Sequence, residues 1–240
     1  MIFDIEIQNR SCGNDDILRL GLPPENLQFT GRQQELQNLS DILKDAGKEQ
    51  WRVAVLHGLG GIGKTDIVLH YAWHNQAAYS SVVWIAATSI ETLKRSFIQV
   101  AENLIQHLVG NYRLAHPDYM EIASTLGIHG LINASGQLVY NAESVDQDRI
   151  VAAVPRWLAT KGNDQWLLIF DNVDDFKVID KVKHFPQNSS GAIIITSRRR
   201  GFAQWGTGSF EVNNMDQKDS LDLLMKRAQL SWNQLGEKGE

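Results

Sequence analysis

Lys64 and Thr65 close the run Gly58-Leu59-Gly60-Gly61-Ile62-Gly63-Lys64-Thr65, in which four glycines precede an amine and a hydroxyl. A polyphosphate asks for that order. Glycines let a loop turn its backbone N–H groups inward and approach an anion closely, which side chains would prevent. The lysine then places a mobile ammonium on the β- and γ-phosphates, and the threonine offers a hydroxyl to Mg²⁺ where a helix opens with its positive end toward the anion. Two further residues carry the complementary chemistry. Asp171 follows the apolar run Trp166-Leu167-Leu168-Ile169-Phe170, and Arg198 follows Ile193-Ile194-Ile195-Thr196-Ser197. An acid at the first position can share the metal with Thr65. A guanidinium at the second can tell a triphosphate from a diphosphate, since only the former has γ-oxygens to pair with.

These side chains need elements to hold them. Val53 to Leu56 is a short apolar run before the glycines, and Ile67, Val68, Tyr71 and Ala72 recur at helical spacing behind them, so strand, loop and helix follow in order, the helix running from Thr65 to about Asn75. Residues 29 to 45 predict an earlier helix with Leu36, Leu39, Ile42 and Leu43 on one face. Ser81 to Ala86 reads as a strand. Thr88 and Glu91 read as a capping box ahead of a helix bearing Leu93, Phe97, Val100, Leu104 and Leu108. From His107 to Ala142 the periodicity weakens, which predicts an irregular helical insertion. A helix over Val145 to Lys161 follows, with Pro155 inside it. The continuous apolar runs before Asp171 and Arg198 suit parallel strands covered on both faces. Phe210 to Val212 reads as a fifth strand, and a last helix places Leu221, Leu224, Met225 and Ala228 on one side. The alternation predicts an α/β fold: a P-loop NTPase three-layer sandwich around a central five-stranded parallel sheet, with its ligand at the carboxyl ends of the strands.

Composition narrows the classes further. A chain of 240 residues, 43% hydrophobic, can bury one sizeable core. Its net charge of −5 argues against a general nucleic-acid or polybasic membrane surface, the only cationic run being Arg198-Arg199-Arg200, of which the last two read as a solvated turn. One cysteine, Cys12, leaves no internal disulfide and fits a reducing compartment. No segment approaches the ~20 apolar residues of a spanning helix, and the N-terminus lacks the marks of a signal peptide. A cytoplasmic protein is expected. His57, just before the loop, reads as a strand-end histidine, and no His/Cys cluster has the sequence spacing of a zinc site.

Four blocks stand in order: Phe29-Thr30-Gly31-Arg32, the glycine run through Thr65, Leu167-Leu168-Ile169-Phe170-Asp171-Asn172, and Ile194-Ile195-Thr196-Ser197-Arg198. The set resembles the NB-ARC domain of STAND-type P-loop NTPases, the nucleotide switch of apoptosome activators, plant resistance proteins and fungal NOD-like receptors, the fungal members above all. The resemblance implies a leader over 1–24, left without assigned structure, a nucleotide-binding domain over 25–230 and a polar tail over 231–240. It implies that Phe29 and Thr30 contact adenine and that Arg32 anchors their segment. Gly58, Leu59, Gly60, Gly61, Ile62, Gly63, Lys64, Thr65 and the adjoining Asp66 would contact the nucleotide, Thr65 and Asp171 the Mg²⁺. Arg198 would sense the γ-phosphate from a strand beside that of the phosphate loop, making Lys64, Asp171 and Arg198 the residues of any catalysis.

Asn172 departs from the family pattern, standing where a second acid is common. A neutral amide cannot take a proton from water, although it can orient one, and Asp174 and Asp175 are near enough to be considered as substitutes, though they read first as loop or capping acids. Measured against the resemblance, the sequence is expected to stop before the helical and winged-helix parts that normally follow the core. The expected function is an ADP- or ATP-binding signalling switch of the kind used in innate immunity, with slow or absent Mg²⁺-dependent hydrolysis. Its expected partners are the adenine nucleotide and a second copy or a NOD-like receptor chain, with neither nucleic acid nor membrane. A turnover ATPase or kinase is the alternative, and a truncated paralogue serving only as an interaction module is the third reading.

Overall fold

The computed structural model describes residues 17–44, 51–110, 117–141, 145–163, 165–187 and 190–229. Cys12, the tail over 231–240 and most of the leader lie outside them. In chain order the elements are β1 (Leu18–Leu20), α1 (Gln33–Leu43), β2 (Arg52–His57), α2 (Lys64–Asn75), β3 (Ser81–Ala86), α3 (Ile90–Gly110), α4 (Tyr119–Leu126), α5 (Val145–Leu158), β4 (Trp166–Asp171), α6 (Lys181–His184), β5 (Gly191–Ser197), β6 (Gly208–Glu211) and α7 (Gln217–Ala228).

The strands form one parallel sheet in the order β1-β3-β4-β5-β2-β6. It has six strands where the sequence predicts five. The additional one is β1, which pairs with β3 through Leu18↔Ser81 and Leu20↔Val83. Its three residues are too few to show a period, so nothing in the sequence set them apart from the leader.

Alternation along the strands divides the core into two layers. Val53, Val55, Val83, Ile85, Leu168, Phe170, Ile193 and Ile195 face α3, α4 and α5. Ala54, Leu56, Val82, Trp84, Leu167, Ile169, Ala192 and Ile194 face α1 and α2. Helices on both faces make the central strands apolar throughout, which is why they read as unbroken runs. The three-layer α/β sandwich expected from the sequence is therefore present. The insertion takes the form of α4, capped by Asp118 accepting from the N–H groups of Met120 and Glu121, and a bridge between Ile132 and Leu138.

Two local expectations need correction. The cap of α3 is Ser89, not Thr88: its hydroxyl accepts from the Thr92 N–H at 3.2 Å and its carbonyl from Leu93 at 2.9 Å. The face of α7 is also less covered than its spacing suggests. Met225 is buried, but Leu221 and Leu224 are 39% and 62% exposed. This helix is tied to the domain largely by polar contacts, described below.

Candidate nucleotide site

Strand β2 delivers the chain to Gly58, whose φ of 147° and whose neighbour, the Val212 carbonyl oxygen 2.6 Å from where a Cβ would stand, admit only glycine. The loop ends at Gly63, which caps α2 with φ 96°; a Cβ there would touch nothing, so the demand is purely conformational. The first-turn N–H groups of α2 have no intrahelical acceptor and open on the loop. A cavity of about 220 Å³ lies there, walled by Gly60, Gly61, Gly63, Lys64, Thr65 and Asp66 on one side and by Asn172, Thr196 and Arg198 on the other.

The cationic and metal-ligating groups meet across this cavity. Lys64 Nζ donates to the carbonyls of Gly58 at 2.9 Å and Leu59 at 2.8 Å. Burial holds its pKa below that of an ordinary lysine, with Asp174 opposing the shift and Arg198 reinforcing it. Thr65 Oγ1 donates to Asp171 Oδ1 and Oδ2 at 3.0 and 3.2 Å. Burial pushes the Asp171 carboxyl above the usual range, although hydrogen bonds from Thr196 and Thr65 and the charge of Lys64 draw it back. A hydroxyl and a carboxylate side by side are hard oxygen donors of the type Mg²⁺ takes, and the loop above them is a concave array of N–H groups of the type a phosphate takes. The residues present fit both groups.

Asp171 is fixed by a residue the sequence reading placed only as strand. In the pairing of β4 with β5, Phe170 stands beside Ile195, so Asp171 comes level with Thr196. The Thr196 hydroxyl donates to Asp171 Oδ1 at 2.6 Å and accepts from the Asn172 N–H at 2.7 Å. Asn172 turns away from the strand in the left-handed region, φ 64°, with its residue at the cavity wall. The signal for Thr196 was its position two residues before Arg198, but its role depends on strand register.

Arg198 leaves the end of β5 beside the loop: a Cβ on Gly60 would stand 3.2 Å from its Nε. Because β5 pairs with β2, its strand adjoins that of the phosphate loop, the order implied by the resemblance. Asp174 holds it, accepting from the Arg198 N–H at 2.8 Å and lying 3.2 Å from Nε. Asp175 accepts from the Lys177 N–H at 2.9 Å in its own turn. Arg199 and Arg200 are exposed. His57 is buried at the end of β2, and burial pulls its pKa below the usual imidazole value.

The N-terminal block sits outside the phosphate cavity. Arg32, 7% exposed, donates to the carbonyls of Ile62 at 2.8 Å and Asn213 at 2.7 Å and to Glu35 at 2.7 Å. It therefore fastens the phosphate loop from behind, joining it to the segment after β6. Phe29 stacks on His70 with ring centroids 4.0 Å apart, and Thr30 donates to the Gln28 carbonyl at 3.1 Å. Helix α7 closes on the same block: Asp219 accepts from the Arg32 N–H at 3.2 Å, and Lys226 donates to the Phe29 carbonyl at 3.2 Å. The structure thus brings Lys64, Thr65, Asp66, Asp171 and Arg198 together with the glycines. Phe29, Thr30, Arg32, Gly58, Leu59 and Ile62 stand around that group and not on the cavity wall.

Similarity to known proteins agrees with this geometry. The sequence profile of the AAA ATPase domain matches residues 28–181. A nucleotide-binding leucine-rich repeat (NLR)-like protein of Hyaloscypha variabilis is 25% identical over 220 residues, covering 83% of this chain and 19% of that protein, so the chain spans about a fifth of its relative's length. Among solved structures, Drosophila ORC bound to DNA superposes with a TM-score of 0.50 at 10% identity over 97% of this chain and 56% of that one, a likeness of fold. Cdc6p from Pyrobaculum aerophilum gives 0.49 at 14% identity over 85% of this chain and 52% of that one. The NLR-like relative is also what the resemblance to the STAND-type P-loop NTPases implies. With a phosphate loop opening α2, an acid ending β4 and an arginine after the strand beside the loop, the chain belongs to the AAA ATPase domain family.

Proposed function

We propose that this domain is the nucleotide-binding core of an NB-ARC-type switch, holding ADP or ATP with Mg²⁺ and turning ATP over slowly or not at all. The observation that carries the reading is the hydrogen bond of Thr65 to Asp171 beside a cavity that Thr65 and Asn172 both line: a metal-holding pair with an amide, not an acid, as the next residue. A bound nucleotide in such a site defines a long-lived state because Asn172, standing where a second acid is common, cannot take a proton from water. Mg²⁺, when bound, screens the charge of the phosphates. Thr65 and Asp171 would hold it, Lys64 would pair with the β- and γ-phosphates, and Arg198 would answer to the presence of the γ-phosphate.

Similarity to a nucleotide-binding, NLR-like protein supports reading the nucleotide site as part of a signalling switch. Adenine contacts from the Phe29-Thr30 segment, action in the cytoplasm, and assembly with a second copy or a receptor chain complete the proposal. Among the described residues no helix is long and apolar enough to cross a membrane. The deciding experiment is calorimetric titration of the chain with ADP and with ATP plus Mg²⁺, beside a steady-state hydrolysis assay and with Lys64→Ala as the control. Binding that the substitution abolishes, with little hydrolysis, is the expected result. Brisk hydrolysis by the isolated chain would replace the switch with a turnover ATPase, and no binding by the folded chain would leave an interaction module.

A further inference from the structure

Away from the phosphate cavity, Glu25, His70 and His74 converge on one point, each offering a ligand atom within 4.8 Å of the others. The convergence is built by secondary structure. His70 and His74 stand four residues apart on one face of α2, the spacing at which two helical side chains meet over successive turns. Glu25 comes from the segment before α1, which runs beside α2 and is fastened to it twice more. Trp73 Nε1 donates to the Pro23 carbonyl at 3.0 Å, and Asn26 Nδ2 donates to Asp66 at 2.9 Å.

The two imidazoles are prepared as ligands. His74 Nδ1 lies 3.0 Å from the His70 carbonyl, and a carbonyl only accepts, so Nδ1 carries a proton and the neutral ring keeps its lone pair on Nε2. This backbone contact is the arrangement that fixes the tautomer of a metal-binding histidine. Nε2 in turn faces Glu25 Oε1 at 3.6 Å. On His70, Nδ1 is buried without a hydrogen-bond partner, while the Phe29 ring covers one face of the imidazole. An ion at about 2.0–2.2 Å from each donor in a tetrahedral site spaces the donors about 3.4 Å apart. The two imidazoles lie tilted against each other, centroids 3.8 Å apart at 31°, so the His74 ring turns out of that contact to close on the ion. His74, 53% exposed, and Glu25, 32% exposed, have the room for it, and their exposure provides the entry path.

We infer that Glu25, His70 and His74 form a binding site for a zinc-class divalent transition ion, which clips the segment before α1 to the helix that follows the phosphate loop. Two imidazoles and one carboxylate select zinc or a similar ion over Mg²⁺ and leave a fourth position for water. The site does not depend on the nucleotide reading. Its consequence lies in the Phe29-Thr30-Gly31-Arg32 block, since a clip at Glu25 restrains the chain four residues before Phe29, which already rests on His70.

The test uses the whole chain, freed of metal by chelation. Zinc is titrated against a chromophoric chelator, Co²⁺ is titrated by visible absorption, and proteolysis of the segment over 21–31 is timed with and without zinc. One equivalent of zinc, intense tetrahedral Co²⁺ bands and slower cleavage are expected. His74→Ala and Glu25→Gln, whose side chains carry little of the core, should weaken zinc by about 10- to 100-fold or more, as even the partners of metal ligands do. The exposed His129→Ala should leave it unchanged. Melting without metal confirms that the variants fold. Zinc affinity that His74→Ala and Glu25→Gln leave intact, or no tetrahedral Co²⁺ spectrum, would overturn the site and leave Glu25 and His74 as an ion pair. Binding without protection would overturn the clip.

Discussion

Arg198 and Asp174 hold each other at two points, the backbone N–H of the arginine on Oδ1 at 2.8 Å and its Nε 3.2 Å from Oδ2. The two contacts have different consequences. The backbone bond shapes the turn after β5, and an amide can accept it as well as a carboxylate. The side-chain contact is a charge pair, and in the role proposed for Arg198 a γ-phosphate arriving in the cavity would compete with it for the guanidinium.

Replacing Asp174 by asparagine therefore separates the two. The turn keeps its acceptor while the competing charge disappears, so binding of ATP with Mg²⁺ should tighten by a few-fold and binding of ADP should change less. Paired titrations of wild type and Asp174→Asn check this. A loss of ATP affinity instead would mean that Asp174 serves the bound nucleotide directly.

Asp171 carries the opposite tension. Burial raises its pKa in the folded chain, so its contribution to stability is fully present below the ordinary carboxylate range and is lost as pH rises through the folded value. At neutral pH the nucleotide-free fold therefore bears the charge at a cost. Asp171→Asn, which can still accept from Thr65 and Thr196, should melt higher than wild type at neutral pH, and the difference should close as pH falls below the carboxylate range. If Asp171 holds Mg²⁺ as proposed, ATP with Mg²⁺ should reverse the order, since it stabilises the chain that keeps its carboxylate more than the variant. Melting curves over a pH series, with and without the ligand, measure both effects.

Much of this site was legible because its parts lie at the ends of elements with strong local signatures. Gly58 to Thr65 form a contiguous motif, and Asp171 and Arg198 each end an apolar run that only a strand buried on both faces would carry. Thr196 was not legible as a partner of Asp171, because the pairing depends on how β4 and β5 align, and no residue announces register in a parallel sheet. Nor could spacing alone show that Asp174 turns back to Arg198, 24 residues away, or that Glu25 reaches His74. The exposed flank of α7 misled for a related reason. Helical periodicity reports which residues share a face, not whether the domain covers it, and α7 is fastened instead by Asp219 and Lys226.

The glycines at the two ends of the loop make a contrast that stability can read. Gly63→Ala forces an L-residue into the left-handed region but meets no atom, so it should cost about 1–2 kcal/mol. Gly58→Ala meets the Val212 carbonyl oxygen as well and should cost about 3 kcal/mol, since that atom belongs to the backbone beside β6 and cannot swing aside. Urea unfolding of the two variants, without nucleotide, gives the comparison. Equal losses would show that the Val212 contact relaxes freely.

Arg32 tests whether the loop is held from outside. Its guanidinium reaches Ile62 in the phosphate loop, Asn213 after β6 and Glu35 in α1, three acceptors that lie on separate parts of the chain. A lysine keeps the charge but not the planar fork, and from one ammonium it can satisfy at most part of this set. The group is almost wholly buried, so the carbonyls it abandons would lose their partners out of reach of water. Arg32→Lys should therefore destabilise the domain by about 3 kcal/mol, within the range for breaking a buried charged network. The loss should also spread to the phosphate site, because Ile62 is where the loop turns before Gly63 and Lys64. Weakened nucleotide binding under conditions where the variant remains folded would show that Arg32 orders the loop. Stability lost with affinity unchanged would confine Arg32 to joining α1, the loop and the segment after β6 as a structural rivet.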